Sequence, residues 1–230
     1  MRGGTLFVQP HSDDIVMSSY FLIKAEVLPR PYYLLTIFSK SNWIDPIKKE
    51  KRHLNYTETT ITQLRKGEDR RFAKLLRLSP YFFDFGDCLL RNKKTYFCPH
   101  DKLEKNLVDE ISRSIIVFIK AHHVQSVVVH FPSGSRQHLD HRIVYRASKD
   151  IKPPTQLYFV DDFPYSRVSN LGSWNLRIFK RVKIKDIQEK FRAMELYDSQ
   201  TCKSFFNGIQ KITTQNKGFE RILILKNRIK

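Results

Sequence analysis

Short runs rich in β-branched and aromatic residues alternate along the chain with longer stretches whose apolar residues recur every three or four positions. That order is expected of βαβ units. The first strand is predicted at Thr5–Gln9, followed by a helix that begins near Asp14 and runs through Ile15, Tyr20 and Leu22; Tyr33–Phe38 forms the second strand. A helix over about Thr60–Leu78 carries Ile61, Leu64, Phe72, Leu75 and Leu76, and the aromatic run Tyr81–Phe85 follows as a strand. Leu107, Ile111, Ile115 and Phe118 mark one face of a helix over about Leu103–His122, which leads into Ser126–Phe131, a strand apolar enough to be covered on both sides. A helix near Arg142–Ser148 and a strand at Gln156–Val160, ended by Asp161-Asp162, complete an α/β layer fold on a mostly parallel sheet.

The pattern then changes. Leu176, Ile178, Val182 and Ile184 alternate with Lys and Arg, which predicts a half-exposed strand over Leu176–Lys185. Asp186 and Glu189 have capping-box spacing for a final helix through Ile187, Phe191 and Met194, and Gly218–Leu225 is predicted to close the sheet. With no repeat, low-complexity tract or linker, residues 1–230 are expected to form one domain.

Composition narrows the function classes. Hydrophobic residues at 41% supply a core, so wholesale disorder is not expected. The apolar stretch Ile15–Ile23 is bounded by Asp14 and Lys24, too short for a membrane span and unlike a signal peptide, and the expected location is cytoplasmic. Cys88, Cys98 and Cys202 lack CxxC spacing, which argues against a disulfide framework or zinc knuckle. The loop Cys98-Pro99-His100-Asp101 has no matching ligand partner elsewhere and is expected to be exposed. Lys and Arg number 41 against 23 Asp and Glu, a net +18, and that field should attract an anionic substrate or an anionic membrane surface. No zinc finger, RNP-type aromatic motif or helix-turn-helix points to specific nucleic-acid binding.

Pro10-His11-Ser12-Asp13-Asp14 lies where the first strand hands over to the first helix, at the edge of open α/β sheets that hosts ligands. A His and a carboxylate three residues later can both face a divalent metal, with Asp13 beside them. His138-Leu139-Asp140-His141 follows the Ser126–Phe131 strand and should occupy the same carboxyl edge. Together the two motifs supply His, Asp and His for a catalytic zinc site that keeps one position open for water. Each also has a structural reading: Asp13, Asp14 or Asp140 can cap a helix, and the histidines can be ordinary loop residues. Arg65 and Glu68 fall near the buried stripe of their helix, Glu68 suiting an ion pair or backbone contact and Arg65 a substrate. Asp87 is either a turn residue or a partner for sugar hydroxyls.

The His11 motif resembles the Pro-His-Pro-Asp-Asp-Glu signature of the PIG-L/LmbE-like zinc-dependent N-acetylglucosaminyl deacetylases, and residues 138–141 resemble their His-x-Asp-His. Arg65-Lys66-Gly67-Glu68, Asp87, Asp161-Asp162-Phe163-Pro164-Tyr165, Lys190 with Tyr197-Asp198-Ser199-Gln200, and Glu220-Arg221 are similar to later family stretches in the same order. The sequence departs at Ser12, where the family has Pro, and at Ile15, where it has Glu. The resemblance implies a Rossmann-like three-layer sandwich with the active site at the carboxyl edge of the strands. It further implies that His11, Asp14 and His141 bind Zn²⁺ or another divalent metal, that Asp13 is the general base, that His138 serves the oxyanion or the leaving amine, and that Asp140 orients an imidazole. Arg65 and Asp87 are then the substrate-binding pair, and the substrate an N-acetylated sugar. Two rivals remain: a Mg²⁺ phosphoesterase built on Asp13, Asp14, Asp161 and Asp162, and a non-catalytic basic protein binding polyanions or membranes.

Overall fold

The computed structural model describes residues 3–46, 56–91, 103–133, 137–165 and 167–226. Its elements are β1 (Thr5–Gln9), α1 (Asp14–Lys24), β2 (Tyr32–Thr36), α2 (Glu58–Leu76), β3 (Leu78–Phe82), α3 (Lys105–Ala121), β4 (Ser126–Phe131), α4 (Leu139–Ser148), β5 (Gln156–Asp161), β6 (Leu176–Lys183), α5 (Ile187–Met194), a 3₁₀ turn (Glu195–Tyr197), α6 (Lys203–Gln215) and β7 (Phe219–Leu225). The strands form one sheet in the order β3-β2-β1-β4-β5-β7-β6. The first five run parallel, and β7 is antiparallel to both β5 and β6.

Two apolar layers explain the arrangement. Phe7, Val128 and Val160 project to the side covered by α1, α2, α5 and α6, where Ile15, Phe72, Met194 and Ile209 pack on them. Leu6, Val8, Val127 and Val129 project to the opposite side, under Ile111 and Ile115 of α3 and Ile143 and Val144 of α4. The three-layer α/β sandwich is the one expected. Side chains of successive strand residues alternate between faces, so a strand apolar throughout must be covered twice.

Several features differ from expectation, among them β2, which spans Tyr32–Thr36 rather than Tyr33–Phe38. Arg77 adopts a left-handed conformation (φ 56°) that stops α2, and Leu78 enters the sheet at once, so β3 pairs Leu78–Phe82 with β2 rather than Tyr81–Phe85. Helix α4 starts at Leu139 instead of Arg142, because the His138 side chain accepts a hydrogen bond from the Asp140 N–H and caps it. α5 is not the final helix: α6 follows, and Phe205, Ile209 and Ile212 supply its helical spacing. Asp186 caps α5 by accepting from the Gln188 N–H, while Glu189 turns away to Tyr20 and Lys24. Finally, β7 lies between β5 and β6, leaving basic β6 as the edge strand. The Cys98–Asp101 loop lies outside the described residues.

Candidate active site

From β1 the sheet order runs one way to β2 and β3 and the other way to β4 and β5, so the connections diverge between the carboxyl ends of β1 and β4. Such a switch point leaves a crevice above the sheet. The loop after β1 carries His11, Asp13 and Asp14 into it, and the start of α4 brings His138, Asp140 and His141 to the same place. A cavity of about 210 Å³ opens there, lined by His11, Asp13, Asp14, Arg65, Asp87 and His138, with Trp43, Leu89, Tyr165 and Phe205 among its apolar walls.

Asp14 Oδ2 is the common point of the cluster. It stands 3.5 Å from His11 Nδ1 and 3.4 Å from His141 Nε2, and it also accepts the His11 backbone N–H at 2.8 Å. Behind each imidazole is a carboxylate: His11 Nε2 donates to Asp140 Oδ2 at 2.8 Å, and His141 Nδ1 to Asp162 Oδ1 at 2.6 Å. These outer bonds fix each tautomer and aim the other ring nitrogen at Asp14. His141 Nε2 is buried with no hydrogen-bond partner. An orphaned imidazole nitrogen beside a carboxylate, with ligand atoms of His11, His138 and His141 all within 4.8 Å of one another, fits a divalent cation.

The electrostatics point the same way. Burial would lower the pKa of His11, but its hydrogen bonds to Asp14 and Asp140 push it up to about 10. Burial would raise Asp14, yet His141 and His11 hold it below the usual carboxylate range. Positive charge is thus favoured around Asp14. Asp13 is the opposite case: burial and the neighbouring Asp14 charge raise it well above its ordinary value. Its backbone is left-handed (φ 93°), and its side chain makes no helix cap. Held in a strained conformation and facing the cavity, Asp13 does not serve as the capping residue.

Other residues divide between the cavity and its frame. Burial and the nearby His11 and His141 lower His138 well below the ordinary imidazole value. Its Nδ1 accepts from the Asp140 N–H, which places the ring proton on Nε2. Asp140 lies behind His11: its Oδ1 takes the Arg91 guanidinium at 2.7 Å and its Oδ2 also accepts the Cys88 N–H. Arg65 Nη1 donates to Ser41 Oγ at 2.6 Å, and Ser41 Oγ donates in turn to Asp87 Oδ2, while Asp87 Oδ1 caps the Leu89–Leu90 turn. Asp87 is thus a turn-capping residue that also lines the cavity. Glu68 accepts from Ser199 N, Ser199 Oγ and Gln200 Nε2, a structural role. Asp161 is held by Arg221, Asn216 and the Val168 N–H and does not line the cavity, which removes the all-carboxylate magnesium site.

The strained loop has its own brace. Buried Asp69 accepts from Gln9 Nε2 (2.8 Å), Ser12 Oγ (2.8 Å), Thr36 Oγ1 (2.7 Å) and Tyr197 OH (3.0 Å), and Gln9 Oε1 accepts the Ile15 N–H. Ser12 thus ties the loop by a hydrogen bond where a proline would stiffen it through its ring. Ile15 packs into the apolar layer. We predict that Ser12→Ala, which unpairs one acceptor site of Asp69, destabilises the protein by about 1–3 kcal/mol and lowers turnover more than it lowers bound metal. Thermal melts with metal analysis check this; unchanged melting and turnover would remove the bracing role.

Sequence reasoning missed Trp43, Ser41, Cys88, Arg91, Phe205 and the role of Tyr165. None lies within either His/Asp motif of the sequence. Only Tyr165, adjoining the Asp161-Asp162 pair, carried a local signal.

The sequence profile described as PIG-L, GlcNAc-PI de-N-acetylase, matches residues 6–152. The chain is 27% identical over 213 residues to the 2'-N-acetylparomamine deacetylase of Streptomyces fradiae, covering 87% of this chain and 74% of that protein. Among solved structures, a deacetylase of the teicoplanin biosynthesis pathway superposes with a TM-score of 0.69 at 20% identity, covering 95% of this chain and 96% of the other. The N,N'-diacetylchitobiose deacetylase of Pyrococcus horikoshii gives 0.66 at 14% identity over 97% and 84%.

Proposed function

The chain belongs to the PIG-L family of GlcNAc-PI de-N-acetylases, and on that footing we propose that it is a divalent-metal-dependent hydrolase removing the acetyl group from an N-acetylated amino sugar. The observation that carries this reading is the buried, unpartnered His141 Nε2 facing Asp14, with Asp13 beside it making no cap. The three relatives described above are all named deacetylases. A cavity of about 210 Å³ suits one sugar unit, with the rest of the substrate outside. The net charge of +18 favours a substrate bearing an anionic group. A cytoplasmic location is part of this proposal. Among the described residues no helix is long and apolar enough to cross a membrane.

His11, Asp14 and His141 would hold the metal, and two imidazoles with one carboxylate select zinc over magnesium. Bound zinc polarises an amide carbonyl and lowers the pKa of a water to about 7. Asp13 takes a proton from the attacking water and returns it to the amide nitrogen as the C–N bond breaks, releasing acetate and a free amine. His138 donates from Nε2 to the carbonyl oxygen as negative charge gathers on it. Arg65 and Asp87, linked through Ser41, bind the sugar hydroxyls. Asp140 and Asp162 hold the two imidazoles in place.

The test measures bound metal and acetate release from a panel of N-acetylglucosaminyl compounds, before and after chelation. Release that stops on chelation and returns with zinc is expected. A protein that holds no divalent ion and frees no acetate from any compound, while still binding polyanions, would instead be the non-catalytic basic protein.

A further inference from the structure

The sheet edge far from β3 has a chemistry that the hydrolase reading does not use. Among the described residues β6 is the last strand in the order, with β7 as its one strand neighbour. Among the described residues the exposed large apolar side chains are Leu75, Val117, Trp174, Ile178 and Phe179; Ile178 and Phe179 lie on β6 itself, whereas Trp174, just before it, packs on Phe131 of β4. Flanking Ile178 and Phe179 and following them are Arg177, Lys180, Arg181, Lys183 and Lys185, all exposed. Neighbouring carboxylates are engaged elsewhere: Asp186 with Arg192, Glu189 with Lys24, Glu220 with Lys190 and Asp161 with Arg221. The result is a strip of uncompensated positive charge threaded with aromatic and aliphatic surface.

The geometry restricts what can cover it. Register slips between Ile178 and Lys180, and an irregular edge lined with lysines resists pairing with another strand. A second copy would set Arg177, Lys180, Arg181 and Lys183 against the same cations. The Arg181 guanidinium lies over the Phe219 ring and the Phe179 ring against Tyr158, while Arg177, Lys180, Lys183 and Lys185 are exposed. A flat anionic surface with an apolar layer beneath satisfies both parts at once: apolar side chains at headgroup depth, ammonium and guanidinium groups on the phosphates and carboxylates.

We propose that the β6 edge docks this protein on an anionic phospholipid surface, with Ile178 and Phe179 entering the interface and Arg177, Lys180, Lys183 and Lys185 holding the headgroups. The proposal does not depend on the reaction catalysed, because its readout is binding.

The experiment sediments the full-length protein with vesicles of phosphatidylcholine alone or mixed with phosphatidylserine, over a salt series. Binding is expected only with phosphatidylserine, falling as salt rises. The triple change Arg177→Gln, Lys180→Gln, Lys183→Gln should weaken partition on the order of 100-fold, from about fivefold per basic residue at the surface. The charge-matched control Lys74→Gln, Lys120→Gln, Lys152→Gln should keep most of it. Phe179→Ser should weaken binding at unchanged charge, circular dichroism confirming that each variant is folded. Equal loss in the two triple variants, indifference to phosphatidylserine, or an unaffected Phe179→Ser overturns the proposal. So does a dimer that depends on β6, or tighter binding of a homopolymeric RNA through the same residues.

Discussion

Asp13→Asn is expected to keep its metal and lose turnover by about 10²–10⁴-fold, the usual contribution of a positioned general base. The carboxylate lines the cavity, is left uncommitted by the helix it precedes, and has its pKa raised by burial and by Asp14, all of which suit a proton acceptor. The amide keeps the size of the side chain but cannot take the proton. His141→Ala is expected to lose metal and turnover together, because it removes the orphaned nitrogen beside Asp14 and leaves buried Asp162 without its imidazole. Metal analysis and acetate release on the same preparations separate the two. Near-normal turnover in Asp13→Asn would mean that another group is the base; full metal content in His141→Ala would mean that the ion sits elsewhere.

The second large effect lies away from the cavity. Lys190 and Glu220 are both fully buried and joined at 2.8 Å, and the other Glu220 oxygen accepts the N–H groups of Phe21 (2.8 Å) and Leu22 (3.1 Å) within α1. Glu220→Ala removes the carboxylate partner of a buried ammonium and an acceptor of two N–H groups. Breaking a buried pair from one side costs about 3–5 kcal/mol, which for a chain of this size lowers the melting temperature by on the order of 10 °C. Replacing both partners by apolar residues, Lys190→Met with Glu220→Leu, should recover much of that loss. The loss should also depend on pH. Burial already lowers Lys190, and Glu220 is what opposes it. Without the carboxylate the folded-state pKa falls further below the unfolded value. Between those two values the unfolded chain binds more protons, so the variant gains stability as pH rises toward the ordinary lysine range. Urea titrations of Glu220→Ala at neutral and alkaline pH would show this; a midpoint that does not rise with pH would mean that Lys190 is not the group left charged.

The weaker family-like stretches gain their reason from the same contacts. Lys190 with Glu220 braces the C-terminal segment from within, while Arg221 with Asp161, and Glu68 with Ser199 and Gln200, tie that segment to β5 and α2. They are charges placed where only a partner makes burial tolerable. In sequence they lie from 30 to 132 positions apart, so no local pattern announces who meets whom.

What the sequence determined by itself was what is local. Thr5–Gln9 and Ser126–Phe131 were legible to the residue as strands, because unbroken apolar runs need cover on both faces. The two His/Asp motifs and their place at the carboxyl edge were also legible, since strand-to-helix order fixes that edge. The tertiary structure decided the rest. Whether Asp13 caps a helix or faces the cavity depends on a loop that Asp69 pulls into place from α2, and Asp162 becomes the support of His141 only once β5 lies beside β4. Trp43 and Phe205 reach the cavity from segments with no chemical signature. Hydrophobic periodicity reports which face of an element is buried, but the partner found there is set by how the layers close.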